Sequence, residues 1–516
     1  MDEHVPVENI LLATFTEKAA KELITRISNR TIEIGMPINI SDMLIGTLHS
    51  IFLRLLDEYR QYTTLKRNYR TLDGFDQQYL IYQNNKRFDE IDGIKLLLNN
   101  CETYLWSSAQ KLCSLVNKVS EENLDLDLLA KCENDKLKVL ATVVRTYRSI
   151  LAEENALDFS LIQTHFWHLL KNEEVLGKLR QRIRYLMVDE YQDTNIIQEQ
   201  ILLKLASPHH RICVVGDDDQ ALYRFRGATV ENILRFRENF PSGCQKIELT
   251  KNYIDDVPLA QIKHAYSFTS HILVYENCPV QYKFFRELEF TPIRTNAVMF
   301  GTLVHQTIED VHRAVLNGHA ELVTHESIDE WLHDNYRQLS RNTGLYLSEG
   351  GLGVVRKHVC NYVEYAQKNW SIIRYAEVPV TLQQPKFILE GKIDLIRGDG
   401  NSIELLDFKS EKKPDRFSED GRDKLKRYKR QLEIYAYLIE KRYGMHVTRM
   451  HLYYTGAESE SPFISFDYNA KSIQKTIAEV TNIVDRIETK DFRQPPTKRC
   501  NQLCGNCDLK HFCDNI

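Results

Sequence analysis

Short apolar runs closed by polar residues punctuate the first half of the chain: Ile10 to Thr14, Met43 to Thr47, Tyr185 to Asp189 and Ile212 to Asp217. Runs of this kind, separated by helical stretches, predict a parallel α/β sheet with function at the carboxyl ends of its strands. From about residue 62 to 155 the pattern changes to long charged, Leu-rich stretches with few Gly or Pro, which predict a helical insert between a first part of the sheet domain (1–61) and its remainder (156–253). The stretch Asn252 to Leu259 (NYIDDVPL) carries two acids, a proline and no clear period, and predicts a junction over about 254–265. A second α/β module follows over 266–516. It has a helical stretch around Cys278, a longer helix around His305 and a strand-rich part from about Glu377 to Asp407. Helices from Arg422 to Tyr443 and Ala470 to Lys490 then lead to a Cys-rich tail. No internal repeat or low-complexity tract is visible.

Composition narrows the class. The chain has 516 residues, 43% of them hydrophobic and 27% charged, with 21 Gly and 13 Pro, a globular profile long enough for several cores. A net charge of -5 excludes a protein that holds nucleic acid by bulk charge and leaves room only for a local basic groove. A mean hydropathy of -0.41, no long apolar run and no signal-like start predict a cytoplasmic protein without a membrane partner. Four of the 11 Cys (Cys500, Cys504, Cys507 and Cys513) fall in the tail, a spacing that speaks for metal rather than disulfides.

The run YLMVDE ends in Asp189-Glu190. Magnesium-nucleotide hydrolysis needs such a pair, one carboxylate for the ion and a neighbour to orient water. Alone it is a common strand end. Here Asp189 to Asn195 (DEYQDTN) is followed by Val214 to Ala228 (VVGDDDQALYRFRGA), and together they closely resemble motifs II and III of the UvrD/Rep/PcrA-like superfamily 1 helicases. Thr14 to Ala20 (TFTEKAA) looks like motif Ia, Gly46 to Ser50 (GTLHS) like the next DNA-contacting motif, and Leu249 to Tyr253 like the start of motif IV. The resemblance spans residues 8 to 253. It implies Asp189 as magnesium ligand, Glu190 as catalytic base and Gln220 as γ-phosphate sensor. It also implies Thr14, Phe15, His49, Tyr223 and Phe225 as contacts to single-stranded DNA, where aromatic rings stack on bases. For Tyr223 and Phe225 the plain alternative is a place in the core.

The departures weigh as much. No G-x-x-x-x-G-K-[ST] occurs, so the backbone cradle and lysine for the β- and γ-phosphates are absent from the sequence. In the family that loop precedes motif Ia, which places it ahead of Met1. Motif IV carries Ile254 where the family has arginine, and no second motor domain follows. An arginine finger alone is worth about 10³ to 10⁵ in turnover. The expectation is a motor remnant that hydrolyses ATP only if a partner subunit completes the site, with strand edges left open where the phosphate-loop strand is missing.

Residues 387 to 409 place Asp394 on one predicted strand and Asp407 and Lys409 on the next, across a turn at Gly398-Asp399-Gly400. Alternation puts Asp407 and Lys409 on one face. Two carboxylates that share a divalent ion, with an ammonium beside them, suit phosphodiester hydrolysis. A D-x-K triplet alone is weak. Gly391 to Asp394, Leu406 to Lys409, Gln431-Leu432 and Tyr435-Ala436 together resemble the motif series of RecB-type PD-(D/E)XK nucleases, and Gly301 to His305 resembles their upstream motif. The resemblance implies Asp394, Asp407 and His305 as ligands of Mg²⁺ or Mn²⁺, Lys409 as the catalytic lysine, and Gln431 and Tyr435 as support near the DNA. Glu309, one turn beyond His305, is a weaker candidate for the same site.

Spacing alone suits zinc on the four tail cysteines at least as well as an iron–sulfur cluster. Tyr275 to Tyr282 (YENCPVQY) looks like the segment of AddB-type nucleases in which an upstream cysteine joins a terminal C-x2-C-x5-C. That likeness implies a [4Fe–4S] cluster on Cys278, Cys504, Cys507 and Cys513, leaving Cys500 over. The expectation is therefore a DNA-processing protein: an incomplete RecA-like motor domain with a helical insert, then a metal-dependent nuclease domain. It would act on single-stranded DNA or duplex ends in repair or recombination. The alternatives are a non-catalytic DNA-binding or scaffold subunit of a helicase–nuclease, and a 3'-5' DNA helicase once a partner completes the ATP site.

Overall fold

The computed structural model describes residues 5–35, 42–98, 105–207, 209–217, 219, 231–240, 243–249, 262–290, 295–399, 402–457, 461–493 and 509. The chain divides into two units, Met1–Ile262 and Lys263–Ile516. Unit 1 carries strands β1 (Ile10–Thr14), β2 (Leu44–Thr47), β3 (Arg70–Leu72), β4 (Ala156–Asp158), β5 (Tyr185–Val188) and β6 (Ile212–Val214). Four of them form a parallel sheet in the order β2-β1-β5-β6, its core built on Leu11, Ala13, Leu44, Leu186 and Val188. β5 and β6 stop short of the predicted runs, so Asp189 and Asp217 stand just past the carboxyl ends. The cause at β5 is local: the Asp189 N–H still donates to the Ala13 carbonyl (2.9 Å), but Glu190 turns to φ 53° and leaves the ladder.

Residues 74 to 154 are largely helical, with long helices at Leu105–Glu121 and Asp135–Glu154. The sequence pattern predicts helices alone, whereas the structure adds the parallel pair β3–β4 across the base of the insert. Three-residue strands carry too little periodicity to be read. Asp158 locks this base: buried, it accepts hydrogen bonds from Tyr147 Oη (2.5 Å), Gln77 Nε2 (3.1 Å), Ser160 Oγ (2.8 Å) and the Leu161 N–H (2.7 Å).

Unit 2 carries β7 (Ala265–Ser267), β8 (Ile373–Gln383), β9 (Ile388–Asp399), β10 (Ser402–Lys409), β11 (His446–Tyr454) and β12 (Phe463–Asp467). Their order is β12-β11-β10-β9-β7, with β8 antiparallel along β9 as well. β10 runs antiparallel to β9 and parallel to β11, and the helix Glu419–Tyr443 makes the crossover between β10 and β11. Leu406 and Phe408 pack under the helices Asn296–Leu316 and Glu349–Ala366. Ile403 and Leu405 face the opposite core, with Leu432 and Ile439 of the crossover helix. Asp407 follows Leu405 by two and so points toward that helix.

The predicted helix around Cys278 is broken at that residue: helices Leu273–Asn277 and Pro279–Tyr282 flank an extended Cys278 (φ -161°, ψ 110°). Pro279 explains the break, because a proline disfavours helical geometry in the residue before it. The crossover helix begins earlier than Arg422 because Ser418 caps it, its Oγ accepting from the Gly421 N–H. Among the described residues, no helix is long and apolar enough to cross a membrane.

Candidate metal centre and motor cleft

In unit 2 the register that pairs Leu395 with Leu406 brings Asp394 beside Asp407 one step on, and Asp394 Oδ2 accepts from the Phe408 N–H (2.7 Å). On the other edge of β9, Ala376 pairs with Leu395 and Val378 with Ile393, so Glu377 falls opposite Asp394. His305 enters from the helix Asn296–Leu316, its Nδ1 3.6 Å from Asp394 Oδ2. One ligand atom each from His305, Glu377 and Asp394 lie within 4.8 Å of one another. Lys409 Nζ stands 2.6 Å from Asp407 Oδ2, while Gln431 Nε2 donates to Asp407 Oδ1 (3.0 Å) and to Tyr435 Oη (3.0 Å). All seven residues except Glu377 line one groove of about 770 Å³.

The electrostatics are those of crowded acids. Burial, and then the neighbouring Asp407, push the Asp394 carboxyl up; burial and then Asp394 push Glu377 up to about 7. Burial lowers His305 against the opposing pull of Asp407 and Glu377. Burial works against the charge of Lys409, but Asp407, Asp394 and Glu411 together outweigh it and the ammonium is held above its ordinary range. Asp407 Oδ2 is buried and, although 2.6 Å from the ammonium, accepts no well-directed hydrogen bond. An under-satisfied carboxylate oxygen beside two other carboxylates and an imidazole fits a hard divalent ion. Glu377 is the member that the sequence reading missed. Its only signal was a Glu on a strand, and which strand it would pair with is not written in the local pattern. Glu309 bonds Arg313 on its own helix (2.9 Å).

In unit 1 the carboxyl ends of the strands line a cleft of Thr14, Phe15, Thr47, Leu48, His49, Val188, Asp189, Glu190, Thr194 and Gln198. The Glu190 N–H donates to Asp189 Oδ1 (3.0 Å). Gln192 bridges the motifs, giving Nε2 to Glu190 Oε2 (2.6 Å) and taking the Asp217 N–H on Oε1 (3.1 Å). A Cβ on Gly216 would stand 2.5 Å from that same Oε1, which is why glycine fits there. Burial lowers His49 to about 4, so its neutral ring accepts from Gln163 Nε2 (3.0 Å). Gln220, Tyr223 and Phe225 lie outside the described residues, as do Cys504, Cys507 and Cys513. Cys278 is buried and its Sγ accepts from the Gln281 N–H (3.4 Å); Leu509, between Cys507 and Cys513 in sequence, is buried too.

A parallel sheet with acids at its strand ends, followed by a sheet bearing a carboxylate–lysine groove, defines a helicase-like unit joined to a nuclease-like one. Comparison with known families finds two matches: residues 1–241 match the UvrD/REP helicase N-terminal domain and residues 269–514 match the PD-(D/E)XK nuclease superfamily. The probable DNA helicase II homolog of Rickettsia conorii is 35% identical over 256 residues, 49% of this chain and 36% of that protein. The ATP-dependent DNA helicase PcrA of Staphylococcus aureus is 30% identical over 253 residues, 49% of this chain and 32% of that protein. The chain thus spans about a third of the length of these relatives. Among solved structures, a putative exonuclease from Eubacterium rectale aligns over 52% of this chain and 94% of its own at 14% identity, with a TM-score of 0.34.

Proposed function

We propose that the chain is a metal-dependent DNA nuclease whose centre is His305, Glu377, Asp394, Asp407 and Lys409, coupled to a helicase-like unit that turns over no ATP by itself. The observation that carries the reading is the convergence of Asp394, Asp407 and Lys409 on one groove, with Asp407 short of a hydrogen bond. Magnesium or manganese held by His305, Asp394 and Asp407, with Glu377 beside them, would polarise the phosphate and acidify a water. Lys409 offsets charge gathering on the phosphate and orients the water. Gln431 keeps Asp407 in place and is itself held by Tyr435. Cys278 with Cys504, Cys507 and Cys513 would carry a [4Fe–4S] cluster of structural role, with zinc on the four tail cysteines as the rival. Visible absorption of anaerobically purified protein separates the two.

The test is degradation of end-labelled linear duplex and single-stranded DNA with Mg²⁺, with and without ATP, for wild type and Lys409→Ala. Cleavage that falls steeply to a residual rate in the variant and is indifferent to ATP supports the proposal. Absence of cleavage by folded, cluster-replete protein overturns it. A second reading has its own observation: β6 ends the sheet among the described residues, with Val215 and Met187 exposed beside it. An open edge of this kind suits a strand from a partner subunit that also supplies the phosphate loop. Under that reading the chain is the DNA-binding part of a cytoplasmic helicase–nuclease for repair or recombination, and ATP-driven 3'-5' unwinding appears only with the partner.

A further inference from the structure

Lys409 reaches the groove between two unlike contacts. On one side its Nζ lies 2.6 Å from Asp407 Oδ2; on the other it stands 4.2 Å from the centroid of the Tyr428 ring. Tyr428 precedes Gln431 by three residues and Tyr435 by seven on the crossover helix, the spacing of one helical face, and all three line the groove. Its hydroxyl donates to Glu411 Oε1 (2.7 Å), and Glu411 is paired in turn with Lys424, one turn earlier on the same helix. The ring is therefore clamped at its hydroxyl end while its face meets the ammonium. Lys409 and Tyr428 are both largely withdrawn from water, where a cation over an aromatic face is held more strongly than at an exposed site.

The two contacts differ in what competes for them. A divalent ion ligated by Asp407 draws on the carboxylate that the ammonium also uses, whereas the ring face has no claim from a metal. A lysine stem has wide rotamer freedom, and an ammonium that swings away from the scissile phosphate does no work there. We propose that Tyr428, braced by Glu411, is a positioning residue that keeps the Lys409 ammonium turned into the groove. The inference rests on the nuclease reading above.

The experiment uses the full chain with Mn²⁺ and two substrates, end-labelled DNA and bis(p-nitrophenyl) phosphate. Tyr428→Leu lowers kcat by about 3- to 30-fold, the range of a partly desolvated cation–aromatic contact, while KM and Mn²⁺ affinity hold. Tyr428→Phe, which keeps the ring, restores most of the rate. In a Lys409→Ala background Tyr428→Leu adds nothing, whereas a general structural defect would add its full loss. A second readout needs no turnover. After reductive carbon-13 methylation of the metal-free chain, the Lys409 resonance is identified by its absence in Lys409→Arg. It is displaced by the ring current in wild type and Tyr428→Phe and relaxes in Tyr428→Leu. Additive losses, or a Lys409 resonance that ignores Tyr428→Leu, overturn the inference. If wild type cleaves neither substrate, the nuclease reading fails, and the resonance still decides whether the ring holds the lysine.

Discussion

Glu190 and Glu377 are acidic residues held at positive φ, 53° and 55°, in a backbone region that side chains with a Cβ seldom adopt. Each stands in a cluster of polar groups, one at the end of β5 and one against Asp394. Such strain persists only where surrounding contacts over-determine it. For Glu190 the fixing contact is Gln192; for Glu377 it is an ion pair with Lys392 (2.5 Å). Because burial holds the Glu377 carboxyl up to about 7, it is largely protonated at pH 6 and ionised at pH 8.5. Metal binding therefore expels a proton at pH 6 and none from this group at pH 8.5. Calorimetric titration with Mn²⁺ in buffers of different ionisation enthalpy measures that release, and Mn²⁺ affinity should rise with pH up to about 7 and then level. The sign follows from competition: the ion needs the carboxylate that the proton occupies. Glu377→Gln should remove this group's share of the release and leave that of Asp394, whose carboxyl is also pushed up; a release at pH 6 that is unchanged in the variant contradicts the role given to Glu377.

At the scale of elements, the centre is built where a hairpin meets the helix that follows it. Gly391 of β9 lies so close to Tyr435 that an added Cβ would stand 2.6 Å from its ring. Gly391→Ala must displace the ring that supports Gln431, and overpacking of this kind costs about 1–3 kcal/mol. Urea unfolding should register the loss, and cleavage should fall with it through Asp407. Ser418→Ala removes the cap of the crossover helix at a cost of about 1 kcal/mol at a residue that does not line the groove, and should lower stability with little change in KM. The helix was legible from its apolar period, and the hairpin from its turn and alternation. The pairing of β8 with β9 was not, because it joins segments whose mutual register depends on the closed sheet.

For the whole molecule, the proposed ligands all belong to Lys263–Ile516, and the strand-end acids of the other cleft to Met1–Ile262. A ligand stabilises the unit that binds it, by about 2.7 kcal/mol at a hundredfold excess over Kd. Scanning calorimetry with Mn²⁺ should raise one unfolding transition and leave the other, and Asp394→Asn should cancel the rise. A uniform shift of both transitions, or none, contradicts the assignment of the site to the second unit.

The candidate motifs were legible in the chain through their resemblance to family motifs, which are local patterns: Asp189-Glu190 at the end of an apolar run, Asp407 and Lys409 two apart on a strand, and Gln431 and Tyr435 four apart on a helix. Those spacings follow from the periods of strand and helix, which neighbouring residues set. The same holds for the two-part organisation, since a change of pattern and a stretch without period are features of the sequence. What needed the folded molecule is everything that joins distant segments. Glu377 meets Asp394 through strand pairing, His305 arrives from a helix some 90 residues upstream in the chain, and Tyr428 is turned onto Lys409 by a brace to Glu411. The strain at Glu190 and Glu377 and the raised Glu377 carboxyl belong to this second kind. They arise from burial and from the close approach of other charges, and neither exists until the chain has closed around them.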